Sequence, residues 1–368
     1  MMESFKSDRG EKTMKQEVGY KITYYNFFWS IVIVYWHWYN QFFDVNSFAV
    51  EQPVDLELMR RILSFSHNLV GPALSYYFIL SGLLFYRNID SVPLWEKIKK
   101  NIYSLGAPLV LWNLALELYS RAIYRRWGWE SGRDILGVKD VILGFTIYPF
   151  NIVTWYFFAL LVYLLVSPLI YVLKRNKPFM TFITIVATVC VLKIHLTGWQ
   201  CEQYVYNIIV YFPLYLIGAY LGLYYKDLLL FEQYRSRVAA LIGFVVTVIC
   251  ILIFWNHSKD MAALVAQRIL AISTWALFGS NCFKIRPGII IRFSFFLYVM
   301  HESWLISISK SLIVNRLMNY SYNLIGHIIL AVGCLAFVYF LCVVSVVLLR
   351  LVLNEKLFKA ISGGRVWF

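Results

Sequence analysis

Apolar and polar positions are segregated along this chain on the scale of whole helices. Runs of about 20 apolar residues, the length that crosses a bilayer, recur at 22–43, 67–86, 102–120, 152–173, 178–196, 205–225, 238–256, 263–282, 289–308 and 323–349. Short polar links such as Lys174-Arg-Asn-Lys-Pro178 imply neighbouring antiparallel helices. Two links are long. Residues 44–66 carry Asp44, Glu51, Asp55, Glu57, Arg60 and Arg61, and residues 121–151 carry Arg121, Arg125, Arg126, Trp127, Trp129, Glu130, Arg133 and Asp134. The second ends in Val141-Ile-Leu-Gly-Phe-Thr-Ile-Tyr148, too short to span and expected at the interface. No internal repeat, low-complexity tract or soluble domain is visible. The pattern predicts an all-α polytopic transmembrane helix bundle of about ten spans. A basic segment at 1–21 precedes the membrane domain at 22–350, and a tail follows at 351–368.

Composition agrees with this pattern. The chain is 60% hydrophobic and 15% charged, against about 25% charged in a typical soluble domain, with a mean hydropathy of +0.64. The first apolar run is too long for the core of a signal peptide and lacks a small-residue cleavage site, so it is expected to stay as an anchor.

Charge changes the picture in one respect. A formal net charge of +14 raises the question of nucleic acid, but its placement answers otherwise. With the N-terminus in the cytoplasm and ten spans, roughly two thirds of the 34 Lys and Arg residues fall on inner segments. The excess therefore sets orientation by the positive-inside rule. Both termini are expected in the cytoplasm, the whole is expected to be multi-pass in the plasma (inner) membrane, and no nucleic-acid partner is implied. The cysteines (Cys190, Cys201, Cys250, Cys282, Cys334 and Cys342) are scattered without CxxC spacing, which argues against a disulfide framework or zinc site. Arg/Trp-rich outer loops suit anionic or sugar ligands, since guanidinium pairs with carboxylate and phosphate while indoles stack on sugar faces. An aromatic belt with interfacial cations explains the same residues.

Candidate chemistry is sparse. Ionisable side chains are costly in hydrocarbon and usually face the bundle interior or a watered cavity. His37 is one, sixteen residues beyond Lys21 and so about 24 Å up a straight helix. Its imidazole can move a proton near neutral pH, or it can be a core histidine donating to a carbonyl. His301, nine residues past Arg292 and about 13 Å into its helix, is the second. Helices one and nine run in the same direction, so the two histidines can face one another. Glu302 is expected about 100° around the helix from His301, and so need not share its site; it could equally orient a neighbour or pair with a cation. Glu117 and Asn113, four apart on one face, suggest either a lined cavity or an interhelical hydrogen bond. His67, His195, His257 and His327 fall at predicted helix ends and receive no role. No GxSxG, HExxH, Walker or glycine-rich nucleotide motif is present.

Taken together, several phrases resemble the acyltransferase family 3 of polytopic membrane enzymes: Tyr25-Asn26-Phe27 through Val34-Tyr-Trp-His37, Tyr77-Phe78-Ile-Leu-Ser81-Gly82-Leu-Leu-Phe85, the cluster Lys97, Lys99 and Lys100 followed by Pro108, Trp155-Tyr156-Phe157 with Ser167-Pro168, Tyr211 through Gly218, and Tyr298 to His301. The resemblance covers essentially residues 20–350. It departs at Asn26, where the family usually has an arginine eleven residues before the histidine, and at the second-helix exit, where lysines and Asn101 stand in place of arginines. The resemblance implies transfer of an acyl group, most often acetyl, from acyl-CoA (acetyl-CoA) to a hydroxyl of a cell-envelope glycan or lipid-linked sugar, without a metal. His37 would be general base or acyl relay, with His301 beside it. Lys21, Lys97, Lys99 and Lys100 would grip the donor's phosphates in place of the absent arginine. Asn26, Glu117, Arg125, Arg126 and Trp155 would contact substrate, and Ser81, Gly82 and Gly106 would let helices approach or admit a pantetheine arm. A monomer or homodimer is expected. A non-enzymatic glycan or lipid transporter, or a receptor that lost the chemistry, are the competing readings. Against the transporter stands the absence of an inverted repeat.

Overall fold

The computed structural model describes residues 2–42, 70–127, 137–199, 201–225, 285–309 and 324–364, with isolated positions 245, 249 and 312. Every element among them is helical. They are α1 (Met2–Phe42), α2 (Val70–Tyr86), α3 (Leu94–Trp127), α4 (Val138–Phe145), α5 (Trp155–Leu173), α6 (Lys177–Leu196) and α7 (Gln203–Tyr224). A broken helix follows, made of α8 (Ile289–Arg292), α9 (Ser294–Met300), a π-helical turn (His301–Ile306) and α10 (Ser307–Ser309). Then come α11 (Leu324–Val352) and α12 (Glu355–Ile361).

Among the described residues, five helical stretches are long and apolar enough to cross a membrane: Leu94–Ala122, Ile152–Leu173, Lys177–Ile194, Gln203–Tyr224 and Val332–Val352. They coincide with five of the ten expected segments. Of the others, 22–43 falls on the second half of α1, 67–86 on the shorter apolar α2 and 289–308 on the broken helix. The segments 238–256 and 263–282 lie outside the described residues, apart from 245 and 249. So do the loop 44–66 and its charges, residues 128–136, and the histidines 67 and 257. Large apolar side chains face outward, among them Leu165 at 80% and Phe182 at 60% exposure, as a surface meant for lipid requires.

The tightest joint is α2 against α7. A Cβ on Gly82 would collide with the carbonyl of Tyr215, one on Gly218 with that of Ile79, and one on Gly222 with that of Leu83. Small residues at four-residue spacing thus let two backbones touch. Gly106, by contrast, has open space around it. Behind this joint, the buried Phe78 ring stacks on Tyr211 at 4.9 Å and meets Trp155, Tyr156 and Tyr163. At one end of the bundle Lys174 pairs with Asp90 at 2.5 Å and lies over the Tyr171 ring. Desolvation opposes its charge, but those two partners hold the ammonium above the usual lysine range.

The segment read as a tail folds back onto the bundle. Asn354 caps α12 by accepting from the Leu357 amide at 2.9 Å. Phe358 is buried against Phe296, and the Trp112 indole N–H donates to the Ile361 carbonyl at 3.0 Å.

Candidate active site

Helix α1 lies along α9 and the π-helical turn, and His37 meets that turn. His301 is fully buried, with Nδ1 at 2.7 Å from the Tyr298 carbonyl and 3.1 Å from that of Leu297. Both partners accept, so Nδ1 carries the hydrogen and Nε2 keeps its lone pair. Among the described residues that Nε2 has no partner. The His37 ring stands edge-on to His301, centroids 4.9 Å apart, and its Nδ1 lies 3.1 Å from Glu302 Oε1. A carboxylate at Nδ1 fixes the imidazole tautomer that leaves Nε2 free to accept a proton. Both of these side chains are 17% exposed, so the pair is screened from bulk solvent without being sealed.

Of the two roles open to Glu302, orienting a neighbour and pairing with a cation, the geometry has the first, with His37 as the neighbour. Residues 301–306 are π-helical, and His301 and Glu302 both meet His37 from that turn.

A polar cluster holds the π-helical turn in place. Asn151 Nδ2 donates to the Val299 carbonyl at 2.9 Å, and the Asn151 amide donates to Asn113 Oδ1 at 2.7 Å. Asn113 Nδ2 in turn donates to Thr154 Oγ1 at 2.8 Å. Tyr298 donates its hydroxyl to the Val153 carbonyl at 2.5 Å. On the far side the Trp304 ring stacks on Tyr119 at 4.9 Å.

Two cavities lie in the bundle beside this centre, neither of them lined by His37, His301 or Glu302. One, of about 390 Å³, lies between α1, α2, α5 and the broken helix, lined by Asn26, Ser30, Tyr77, Tyr156, Arg292 and Tyr298 among others. Tyr298 places its upper end one turn before His301. The other, of about 520 Å³, is lined by Glu96, Lys97, Lys100, Asn101 and Ser104. The cavities share Ser81, Leu84 and Tyr156, and the Ser81 and Tyr156 hydroxyls are hydrogen-bonded at 2.7 Å.

The sequence candidates thus divide. His37 and His301 come together. Asn26 lines the smaller cavity and also pins α1 to α2: its Oδ1 accepts from Tyr76 at 3.1 Å and its carbonyl from Tyr77 at 2.7 Å. Lys97 and Lys100 line the larger cavity, Lys97 also donating to the Phe85 carbonyl at 2.8 Å. Lys99 is exposed, and Lys21 is buried but lines neither cavity. Glu117 pairs with Arg121 at 2.5 Å rather than with Asn113. Trp155 sits in the aromatic core against Phe78 and Tyr211, lining neither cavity. The side chains of Arg125 and Arg126 lie outside the described residues. Sequence reasoning gave no site role to Tyr77, Tyr298 and Arg292. The first two open family-like phrases but look like ordinary membrane aromatics, and the third looks like one more positive-inside charge. Among the described residues no group of three or more His, Cys, Asp or Glu side chains is placed to hold a metal ion.

A family model described as an acyltransferase domain matches residues 27–349. No curated protein and no solved structure matches the chain.

Proposed function

Since the chain belongs to acyltransferase family 3 and is by that membership a membrane acyltransferase, we propose that it moves an acyl group, acetyl in the first instance, from acyl-CoA to a hydroxyl of a cell-envelope glycan or lipid-linked sugar. The protein acts as a multi-pass enzyme of the plasma membrane, with both termini in the cytoplasm, as monomer or homodimer, and without a metal.

The observation that carries this reading is the His37–Glu302 pair with His301 edge-on beside it. His37 Nε2 takes the proton of the acceptor hydroxyl as its oxygen attacks the thioester carbonyl. The C–S bond then breaks, and the proton passes from His37 to the departing thiolate, giving an ester and free CoA. Glu302 holds the ring and balances the imidazolium formed in between, as a carboxylate does in other His-based acyl transfers. His301, edge-on to this pair, keeps the lone pair of its buried Nε2.

The test is release of CoA thiol from acetyl-CoA by protein purified in detergent, wild type beside His37→Ala, with and without an envelope glycan fraction. Glycan-stimulated release is expected from wild type and not from the variant. Equal release from both would sink the assignment of His37.

A further inference from the structure

Among the described residues lining the 390 Å³ cavity, Arg292 alone carries a formal charge. The remaining lining consists of hydroxyl, amide, aromatic and aliphatic groups from α1, α2, α5 and the broken helix. The cavity runs from the level of Arg292 to Tyr298, and nine residues separate Arg292 from His301, about 13 Å of helix. A cation at one end of a hydroxyl-lined passage, with a proton-transfer centre just beyond the other, is what an elongated donor with an anionic end requires.

The segment that carries Arg292 is fixed on two sides. Tyr339 of α11 donates to the Ile290 carbonyl at 2.6 Å, and Ser30 of α1 donates to that of Ser294 at 3.3 Å. Its guanidinium therefore starts from a held backbone, which suits the forked recognition of phosphate. The lysines of the larger cavity are less suited to this task. Lys97 already donates to the Phe85 carbonyl, Lys100 shares its cavity with Glu96, and the Ser81–Tyr156 hydrogen bond stands where the two cavities adjoin. A donor held there would have to part that bond to reach the histidines.

We infer that Arg292 binds a phosphate of the acyl donor, whose pantetheine arm occupies the cavity of Asn26, Ser30, Tyr77 and Tyr298 with its thioester presented to His37. This rests on the acyl-CoA reading above and replaces Lys21 and the Lys97–Lys100 cluster as the donor's phosphate site.

The experiment compares acetyl-CoA with S-acetylpantetheine, which has the arm but no phosphate, in wild type, Arg292→Ala, Arg292→Lys, Lys97→Ala and Lys100→Ala, alongside direct binding of acetyl-CoA to each protein. For Arg292→Ala the KM for acetyl-CoA is expected to rise about tenfold or more with kcat little changed, as loss of a charged hydrogen bond to the ground state and transition state alike predicts. With S-acetylpantetheine, wild type and Arg292→Ala should agree within about twofold, because that donor never used the guanidinium. Arg292→Lys should recover part of the acetyl-CoA affinity, as a point charge replacing a fork. An equal penalty on both donors would make Arg292 structural and overturn the inference. So would an unchanged KM in Arg292→Ala with a raised one in Lys97→Ala or Lys100→Ala, which moves the phosphates to the other cavity. If wild type neither binds acetyl-CoA nor turns it over, the donor reading itself falls and takes the inference with it; normal wild-type turnover confines any failure to Arg292.

Discussion

At the scale of single residues, the division of labour between His37 and Glu302 makes a sharp demand. Replacing Glu302 with Gln keeps a polar group of the same shape at 3.1 Å from the ring but removes the charge that balances the imidazolium and selects the tautomer. In the comparable serine-protease change kcat falls about 10⁴-fold, so we expect Glu302→Gln to lower kcat by about 100-fold or more, with acetyl-CoA binding preserved. Steady-state kinetics beside a direct binding measurement decides the matter; a variant with full kcat would reduce Glu302 to a packing neighbour. Part of this was readable in the sequence. His37 and His301 stand out because an ionisable group inside an apolar run is costly and needs a reason. Glu302 was visible as a residue able to orient a neighbour or pair with a cation, but a single sequence does not say which side chain it meets. Arg292 was hidden by its own company: one more cation at a helix end looks like topology, and only the cavity distinguishes it.

Among elements, the touch between α2 and α7 depends on glycine. Gly218→Val would push a branched side chain into the Ile79 carbonyl, where even a single Cβ has no room. We expect that variant to lose its monodisperse elution in detergent and most of its thermal stability. Gly106→Val, with open space at the same test, should behave as wild type. If both tolerate valine, close backbone contact is not what seats α2 beside α7. Helix positions were legible where apolar runs are long and punctuated: three of them, 152–173, 178–196 and 205–225, match spanning stretches to within two residues at each end, while 102–120 and 323–349 overlap stretches displaced by eight to nine residues at one end. The broken helix was not. Its run 289–308 reads as one continuous span, while Phe293 leaves helical geometry and the π-helical turn interrupts it again. Next to each break a carbonyl takes a hydrogen bond from a distant residue, Ser30 at Ser294 and Asn151 at Val299, which local pattern does not show.

Over the whole molecule, α12 closes a seam between α3 and α9. Removing residues 353–368 would strip Phe358 from Phe296 and leave the Trp112 N–H without its acceptor, inside an apolar setting where an unmet donor costs about 1–3 kcal/mol. We expect the truncated protein to unfold at a lower temperature and to lose activity with it, measured by thermal melting of tryptophan emission. Unchanged melting would mean that the bundle is complete without α12. The tail was assigned by its charges alone, and its return into the bundle follows from Phe358 and Ile361, two apolar residues too few to register as a pattern.

The meeting of His37 with His301 and Glu302 joins positions 264 residues apart. At ordinary synthesis rates of about 5–20 residues per second, that separation is about 13–50 s of elongation. Throughout that interval α1 carries His37 without the two side chains that meet it in the folded chain. The proposed centre is therefore assembled only once the broken helix has been made, and a chain that ends before residue 301 lacks it.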